Sequence, residues 1–235
     1  MSAAILITGG AQRLGLAMAE ALIAQGETVI ITYRTHKPQV DALAAQGARM
    51  IQCDFAQPND IARLCKLVNT DYAALRAIIH NASDWDQEAG TDNYAQLMQK
   101  MMQVHAQAPY EINLALHQKL LAFDGVADII HMTDYVQNTG SKKHIAYAAS
   151  KAALHNLTLS FATLLAPNVK VNSIAPALLM FNEHDSDAYK AKSLQKSLLQ
   201  ICPGPQEAVK AMNYLFDCDF VTGQTMHLDG GRHLK

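Results

Sequence analysis

The sequence predicts an α/β domain, a doubly wound, mostly parallel seven-stranded sheet with helices on both faces. Short runs rich in β-branched residues alternate with longer stretches of helical period along the whole chain. Half of the 235 residues are hydrophobic, which is enough for a sizeable core. No repeat, linker or low-complexity tract divides the chain, so residues 1–235 are expected to fold as one domain.

The elements follow one another in a regular order. Each expected strand is a short apolar or β-branched run, and the strands are Ala4 to Thr8, Thr28 to Tyr33, Arg49 to Cys53, Leu75 to Asn81, Ala127 to Thr133, Val169 to Ile174 and Gln224 to Leu228. The expected helices are Arg13 to Gln25, Pro38 to Gln46, one from about Pro58, Met101 to Leu121, Ala146 to Leu165 and Gln206 to Phe216. Because parallel neighbours need crossover connections, this alternation favours a sheet covered on both faces. The mixed loop from about Pro176 to Ala188 is expected to act as a lid.

Composition excludes several classes of function. Nineteen Lys and Arg against 21 Asp and Glu give a formal net charge of −2, so no nucleic acid and no anionic membrane is expected as a partner. No run approaches the roughly 18 apolar residues of a membrane span, and the first residues lack a basic leader, so we expect a cytoplasmic protein. The four cysteines show no CxxC pair and the ten histidines no HExxH pattern, so we expect reduced thiols and no metal site.

A glycine-rich segment, Thr8 to Gly15, follows the first strand and opens the first helix. Gly9 allows the sharp turn out of the strand, and Gly15 lets the helix approach the sheet. The N–H groups of the first helical turn and the positive end of the helix dipole suit a pyrophosphate. The segment therefore favours nucleotide binding over an ordinary glycine-rich turn.

The end of the second strand indicates which nucleotide. A fold that binds NAD places an acidic residue about 20 residues after the last glycine, where this chain has Arg34 and Thr35 instead. An arginine beside a hydroxyl binds a 2′-phosphate, whereas a carboxylate repels it. The expected cofactor is NADPH, and the alternative is a solvated basic loop.

Polar residues also follow the third and fourth strands. Asp54 comes after one, and Asn81, Ala82 and Ser83 come after the other. The carboxyl ends of parallel strands share one edge of the sheet, so these residues are expected to lie beside the glycine loop, with Asp54 accepting the adenine amino group. Each of them alone is an ordinary turn residue.

Tyr147 and Lys151 stand four residues apart at the head of an expected helix, so their side chains share one face. A nearby ammonium favours phenolate, so Lys151 is expected to lower the pKa of Tyr147 and make it a proton donor and acceptor near neutral pH. By itself the spacing is common on amphipathic helices, and two surface residues would produce it equally well.

Taken together, the motifs resemble the short-chain dehydrogenase/reductase family over essentially the whole chain. They are Thr8-Gly9 to Gly15, Asp54, Asn81-Ala82-Ser83, Tyr147-Ala148-Ala149-Ser150-Lys151, Asn172-Ser173-Ile174-Ala175-Pro176, and Gly223-Gln224 with Asp229-Gly230-Gly231. The resemblance implies a Rossmann-type sheet, Tyr147 as proton donor, Lys151 on the nicotinamide ribose, and a homotetramer. The cofactor contacts it implies are Gly9, Arg13, Leu14, Gly15, Arg34, Thr35, Asp54, Asn81, Ala82, Lys151 and Pro176.

Two departures from the family pattern narrow the function. Asp134 stands thirteen residues before Tyr147, where the family usually has serine, and Arg13 stands where most members have glycine. Together they resemble the pteridine reductase branch, which implies NADPH-dependent reduction of 7,8-dihydropterins, with a pterin or folate as substrate. There an Asp–Tyr pair delivers the proton, so Asp134 joins Tyr147 and Lys151 as a catalytic residue. A carboxylate accepts hydrogen bonds from the N–H groups of a pterin, whereas a serine hydroxyl polarises a ketone oxygen.

The same branch implies substrate contacts, which are Arg13, Ser83, Trp85, Asp134 and Tyr147. Trp85 is expected to stack on the pterin, and the alternative is a core or interface tryptophan. Arg13 is expected to span from the pyrophosphate to the pterin, or to be a surface arginine. His105 replaces an asparagine that the family uses in a proton relay; it either serves that relay or is a satisfied core residue.

Two other functions remain open at this stage. One is a ketone or 3-oxoacyl thioester reductase of the same fold, which the replacement of serine by Asp134 disfavours. The other is a catalytically silent nucleotide sensor or scaffold, which the retention of Tyr147 and Lys151 disfavours. The sequence does not choose among pterin side chains, and we expect that choice to lie in the loop from Ala177 to Ala188.

Overall fold

The structure, a computed structural model that describes residues 3–235, has a central sheet between two layers of helices. The strands are β1 (Ala4–Thr8), β2 (Thr28–Tyr33), β3 (Arg49–Gln52), β4 (Leu75–His80), β5 (Ala127–Met132), β6 (Val169–Pro176) and β7 (Thr225–Leu228). The helices are α1 (Arg13–Ala24), α2 (Pro38–Ala45), α3 (Pro58–Asp71), α4 (Tyr94–Met102), α5 (Ala108–Leu121), α6 (Val136–Thr139), α7 (Ile145–Leu165), α8 (Asp187–Leu194) and α9 (Gln206–Asp217). A π-helical segment, Gln103–Gln107, joins α4 to α5, and a 3₁₀ turn, Arg232–Leu234, follows β7.

The strands lie in the order β3-β2-β1-β4-β5-β6-β7, and every neighbouring pair is parallel. The predicted doubly wound sheet of seven strands is therefore confirmed, and in the described residues it is parallel throughout. The strands that follow β1 in sequence are added on one side of it, and those that follow β4 are added on the other side. The connections after β1 and after β4 therefore run in opposite directions across the sheet. Such a switch point opens a crevice beyond the carboxyl ends of these two strands.

Helices bury both faces of the sheet, which explains why the central strands read as continuous apolar runs. Alternate residues of β1 point to opposite faces, with Leu6 in one core and Ile5 and Ile7 in the other. One core packs against α3, α5 and α7, and the other against α1, α2 and α9. Within residues 3–235, no helix is both long and apolar enough to cross a membrane.

Most expected elements are present within one or two residues of their predicted ends. The helix expected at Met101 to Leu121 begins earlier, at Tyr94, and contains the π-helical segment. The strand expected to end at Ile174 continues to Pro176. Proline is tolerated there because the last residue of a strand does not have to donate an N–H to the ladder. The sequence missed α6 and α8. The first is a single turn, and α8 buries only Ser193, so it carries no apolar periodicity to detect.

Candidate active site

The glycine loop between β1 and α1 passes very close to the end of β4. Gly9 has a φ of +62°, and a Cβ atom there would lie 2.9 Å from Ala82 Cα. A Cβ atom on Gly15 would lie 2.4 Å from Asn81 Nδ2. Both distances are shorter than side chains tolerate. The close approach at Gly15 and the turn at Gly9 were predicted, and the close approach at Gly9 is an additional constraint.

Hydrogen bonds fix this close approach. The buried Thr8 hydroxyl oxygen accepts the N–H groups of Asn81 and Ala82, each at 3.0 Å. In return the Asn81 side-chain amide donates to the carbonyls of Thr8 (3.1 Å) and Gly9 (2.9 Å). Asn81 and Ala82 therefore lie beside the loop as expected. Thr8 was missed as a site residue, although it begins the glycine motif.

The N-terminus of α1 is open to an anion. Its cap residue, Gln12, makes no side-chain hydrogen bond to the helix, and in the described chain the first turn holds no acidic residue. The first N–H groups of a helix have no partner within the helix, and with the helix dipole they favour a phosphate. The loop, the narrow approach at Gly9 and Gly15 and this helix end fit a dinucleotide pyrophosphate. Leu14, predicted to contact the cofactor, lies in this first turn.

Arg13 has an unusual backbone conformation, with a φ of +52°. A left-handed conformation at a residue with a side chain costs about 1–2 kcal/mol, which explains why glycine is common in such loops. The guanidinium of Arg13 donates to Asn182 Oδ1 and to the Met180 carbonyl, both in the segment after β6. Arg13 thus reaches across the crevice from the glycine loop to the expected lid. Its contacts with pyrophosphate and pterin stay predictions.

Arg34 also reaches across the crevice. Its Nη1 lies 3.0 Å from Asp84 Oδ2, and Lys100 Nζ lies 3.2 Å from the same oxygen. Burial alone would raise the pKa of Asp84, but the Trp85 N–H, Lys100 and Arg34 hold that pKa below its usual range. Arg34 follows β2, and Asp84 follows β4 on the other side of β1. The ion pair therefore spans the glycine loop, while 58% of the Arg34 side chain stays exposed, and its contact with a 2′-phosphate stays a prediction.

Asp54 and Thr35 lie at the same edge of the sheet. Asp54 Oδ1 accepts the N–H of Ala56 at 3.0 Å, and the Asp54 N–H donates to Asp60 Oδ2 at 2.9 Å. These bonds fix the turn after β3 and leave Asp54 half-buried. Thr35 is exposed beside Arg34. The proposed adenine and phosphate contacts of these two residues stay predictions.

The three expected catalytic residues meet between the end of β5 and the head of α7. The Tyr147 hydroxyl donates to Asp134 Oδ2 at 3.0 Å, and the Val136 N–H donates to Asp134 Oδ1 at 3.0 Å. Lys151 is buried one helical turn further, where its Nζ donates to the Met132 carbonyl at 2.9 Å. Tyr147, Lys151 and Asp134, which are separated along the chain, therefore lie close together in the structure.

The pKa values of this group differ from the expectation. Burial, and then the Asp134 carboxylate, raise the pKa of Tyr147 well above its ordinary value. The expected lowering of that pKa by Lys151 is wrong, because the phenol faces a carboxylate in a desolvated site. Burial also raises the pKa of Asp134, and it lowers that of Lys151 to about 8 against the opposing effect of Asp134. Tyr147 therefore holds its proton and shares it with Asp134.

His105 lies in the π-helical segment, with its ring edge-on to Tyr147 at a centroid distance of 5.3 Å. Its Nε2 accepts the Asp84 N–H at 3.1 Å and lies 2.9 Å from Ser83 Oγ. A backbone N–H can only donate, so Nδ1 carries the ring proton and donates to Ser150 Oγ at 2.8 Å. Burial, followed by the charge of Lys151, lowers the pKa of His105 well below its usual value. His105 is therefore neutral and hydrogen-bonded in the core, where it positions Ser83 and Asp84, and a part in a proton relay stays a prediction.

Trp85 is on the surface, with 60% of its area exposed, so the core alternative is wrong. Its ring lies 4.6 Å from that of His144, just before α7. Glu88 fixes the same segment to α7 by accepting the Ala146 N–H at 2.8 Å. Trp85 is thus available at the mouth of the crevice beside the helix that carries Tyr147. Stacking on a substrate stays a prediction.

Pro176, the last predicted cofactor contact, ends β6, and its carbonyl accepts the Tyr135 N–H at 3.1 Å. Apart from Thr8, four site residues are marked by no motif in the sequence. They are Thr32, whose hydroxyl accepts the Gly9 N–H at 2.9 Å, and Asp84, Lys100 and Asn182. Their partners are distant in sequence, so no local pattern marks them. Asp84 could have been suspected from its place directly after Asn81-Ala82-Ser83.

Comparison with known proteins agrees with the fold described above. A family model described as enoyl-(acyl carrier protein) reductase matches residues 9–233. Dihydromonapterin reductase from Escherichia coli K12 is 50% identical over 232 residues, which are 98% of this chain and 97% of the relative. Among solved structures, FolM alternative dihydrofolate reductase 1 from Brucella canis, complexed with NADP, has a TM-score of 0.89 at 27% identity, over 99% of this chain and 94% of that chain. The FolM alternative dihydrofolate reductase 1 from Brucella suis, in complex with NADP, has a TM-score of 0.88 at 28% identity, and the match covers 99% of this chain and 96% of that chain.

The close approach at Gly15 is testable by Gly15→Ala. The added methyl meets Asn81 Nδ2 and the Gly9 carbonyl, so we expect a loss of about 1–3 kcal/mol in the free energy of unfolding and weaker NADPH binding. Denaturant titration and cofactor titration measure the two effects. Gly26→Ala is the control, because a methyl there meets open space at a φ of +83°, so it tests backbone strain alone. Equal NADPH affinity in Gly15→Ala and wild type would contradict the assigned geometry.

The buried charge of Lys151 is testable by its effect on stability against pH. Between about pH 8 and 10.5 the unfolded chain holds a proton on this lysine that the folded chain has lost, so the contribution of Lys151 to stability rises with pH. The variant Lys151→Met lacks this term. The melting temperature of the variant minus that of wild type should therefore fall as pH rises from 8 to 10. The control, Lys66→Met on the exposed face of α3, should give a constant difference. A constant difference for Lys151→Met as well would be evidence against a lysine buried in its charged form.

Proposed function

The chain belongs to the short-chain dehydrogenase/reductase family, and on that premise we propose that it is an NADPH-dependent reductase of 7,8-dihydropterins. The observation that carries the proposal is the Asp134–Tyr147 hydrogen bond of 3.0 Å in a desolvated site, where the family usually has a serine. The half-identical relative from Escherichia coli is named for dihydromonapterin, and the Brucella proteins for dihydrofolate. Both substrates are 7,8-dihydropterins.

The residues present fit NADPH. The N–H groups of the first turn of α1 would hold the pyrophosphate, with Arg13 beside them, and Arg34 with Thr35 would hold the 2′-phosphate. Asp54 is proposed to hold the adenine, and Lys151 with Pro176 the nicotinamide end. When bound, NADPH supplies the hydride that enters C6 of the C6=N5 imine. The Brucella structures hold NADP on the same fold, which supports this assignment.

Asp134 is proposed to recognise the pterin. The Val136 N–H occupies one carboxylate oxygen, which fixes the plane of the group and leaves the other oxygen for Tyr147 and for an N–H donor of the substrate. A pterin presents an exocyclic amino group and ring N–H groups, whereas a ketone presents only an acceptor. Trp85 is proposed to cover the ring, since aromatic stacking contributes about 0.5–1.5 kcal/mol beyond burial. Ser83 and Arg13 are proposed to contact its edge.

The proton that N5 gains comes from the Asp134–Tyr147 pair in this proposal. Tyr147 keeps its proton at neutral pH, and the raised pKa of Asp134 brings that carboxylate nearer to protonation at neutral pH. Tyr147 donates its proton to N5 and recovers one through Asp134, which is a carboxylate before and after the step. Water on the exposed side of the crevice returns the proton to Asp134. Lys151 compensates the carboxylate charge.

Two rival functions make different use of the same residues. The first rival is a ketone or 3-oxoacyl thioester reductase, a class close to the description of the matching family model. Such an enzyme needs a hydrogen-bond donor toward the carbonyl oxygen of its substrate, whereas the Asp134 carboxylate is an acceptor. A silent nucleotide sensor would not need a buried Lys151 beside the hydrogen-bonded Tyr147 and Asp134, because burying a charged group costs stability. The dihydropterin reductase accounts for both facts.

We also propose a homotetramer that acts in the cytoplasm. Apolar side chains on α5 and α7 are exposed in the single chain, and they are Tyr110, Leu114, Leu159 and Leu164. Exposed apolar patches of this kind mark subunit contacts in symmetric assemblies. The four cysteines are free thiols, which suits a reducing compartment.

The function is tested with NADPH against three substrates side by side, a 7,8-dihydropterin, 7,8-dihydrofolate and an acetoacetyl thioester. We expect turnover with the first two, and a fall of about 10²–10⁴-fold in Tyr147→Phe with little change in NADPH affinity, because only the proton donor is lost. Tyr94→Phe on α4, where the tyrosine is exposed, should behave like wild type. Turnover of the thioester alone would replace the proposal by the first rival, and no NADPH oxidation with any substrate would favour the second.

The choice of cofactor is tested at Arg34. Arg34→Ala should raise the KM for NADPH about tenfold or more and leave the KM for NADH nearly unchanged, because only the phosphate loses a charge-assisted hydrogen bond. Arg49→Ala is a matched control, since Arg49 is similarly exposed and paired with an acid, Asp71, but lies at the start of β3. An equal rise in KM for NADPH and for NADH in Arg34→Ala would mean that Arg34 does not bind the 2′-phosphate.

A further inference from the structure

An ion pair crosses the part of the crevice where the cofactor is expected. Arg34 follows β2 and Asp84 follows β4, and these two strands lie on either side of β1. Arg34 Nη1 lies 3.0 Å from Asp84 Oδ2, so the pair spans the glycine loop that follows β1. The same guanidinium is assigned above to the 2′-phosphate of NADPH. One cation therefore faces two anions, a carboxylate of this chain and a phosphate of the cofactor.

The two partners of this ion pair are held very differently. Asp84 Oδ1 accepts the Trp85 N–H at 3.0 Å, and the Asp84 N–H donates to His105 Nε2 at 3.1 Å. Only 15% of the Asp84 side chain is exposed, whereas most of the Arg34 side chain is exposed. A long side chain in solvent has many rotamers open to it, and a carboxylate fixed through its neighbours has few. Arg34 is therefore the partner that moves when the ion pair opens.

Lys100 allows Asp84 to stay charged when Arg34 leaves. It lies near the end of α4, with its Nζ 3.2 Å from Asp84 Oδ2 and 3.7 Å from Asp86 Oδ2. Burial raises the pKa of Asp84, and the Trp85 N–H and Lys100 lower that pKa more than Arg34 does. The carboxylate thus keeps a cationic partner after the ion pair with Arg34 has opened. Arg34 and Lys100 share one oxygen of Asp84, so each weakens the hold of this oxygen on the other.

This arrangement acts on one cofactor and not on the other. A phosphate monoester has about two negative charges at neutral pH, and it takes Arg34 from Asp84 only by outcompeting the carboxylate. NADH has no phosphate at this position, so it binds while the ion pair stays closed. The ion pair therefore lowers the affinity for NADPH and leaves the affinity for NADH unchanged. Because exposed ion pairs are weak, the effect is moderate.

We propose that Asp84 is a specificity-determining residue, an internal carboxylate that competes with the 2′-phosphate of the cofactor for Arg34. Lys100 sets the strength of this competition through the oxygen that it shares with Arg34. The proposal rests on the proposed contact between Arg34 and the 2′-phosphate. It adds that the chain limits its own affinity for NADPH.

The test is the dissociation constant of each cofactor, measured by fluorescence titration at low ionic strength. Asp84→Asn keeps the oxygen that accepts the Trp85 N–H and replaces Oδ2 by an NH₂ group, which cannot accept from Arg34. We expect the Kd for NADPH to fall about two- to fivefold, in line with the strength of exposed ion pairs, and the Kd for NADH to stay nearly unchanged. Asp86→Asn is the matched control, because it removes the same charge beside Lys100 and should leave both Kd values unchanged.

Two double variants separate this competition from a general effect of charge. Lys100→Gln leaves Arg34 as the cation on Asp84 Oδ2, so it should raise the Kd for NADPH about two- to fivefold. In the Asp84→Asn background the same change should have little effect. Asp84→Asn should likewise leave the Kd for NADPH unchanged in the Arg34→Ala background, because the cation for which the two anions compete is gone.

An unchanged or higher Kd for NADPH in Asp84→Asn would overturn the competition, and so would an equal fall in the Kd for NADH. If Asp84→Asn does not fold, as judged by its melting temperature, Asp84→Ala removes the same carboxylate and has the same expected results. Failure of the phosphate contact gives a different result, since Arg34→Ala would then bind NADPH as tightly as the wild type. A wild type that binds NADPH and reduces no dihydropterin would refute the proposed function and leave the competition at Arg34 standing.

Discussion

The hydrogen bond from Tyr147 to Asp134 is the interaction on which the chemistry of this site depends. It joins the end of β5 to the head of α7, and both groups are desolvated. Desolvation keeps the phenol protonated and makes the carboxylate easier to protonate, so one proton is held between two oxygens. A hydroxyl in place of Asp134 could accept from Tyr147, but it has no second carboxylate oxygen and cannot take up a proton in the same way. The site is thereby suited to a substrate that offers N–H donors and requires one proton.

Two arginines connect the rest of the crevice to this pair. Arg13 bonds Asn182 in the segment after β6, and Arg34 pairs with Asp84 in the segment that carries Trp85. If both bind phosphate groups as proposed, they exchange carboxylate and amide oxygens for phosphate oxygens. Each exchange removes one contact of a segment that is expected to meet the substrate, although Lys100 and His105 still hold Asp84. Binding of cofactor and of substrate would then be coupled through two polar contacts, without any change in the sheet.

The features that could be predicted from the sequence are those with a regular pattern or a fixed spacing along the chain. The seven strands, the glycine loop and the four-residue separation of Tyr147 and Lys151 are local patterns, and they were placed correctly. The direction of the Tyr147 pKa was predicted wrongly, because spacing shows which charge is near and burial decides which form is favoured. The exposure of Trp85, the pairing of Arg34 with Asp84 and the tautomer of His105 depend on segments brought together by the fold.

The charges around Tyr147 also argue for a neutral heterocycle as substrate. Next to Tyr147, Asp134 and Lys151 have opposite charges and His105 is neutral, while Arg232 acts on Asp134 as a second positive charge. A neutral ring enters such a site without adding a charge to a desolvated space, where an unpaired charge is expensive. His105 contributes by being uncharged, because a protonated imidazole could not accept the Asp84 N–H that holds this segment in place. The lowered pKa of His105 therefore keeps the wall beneath Ser83 and Asp84 intact across the neutral range.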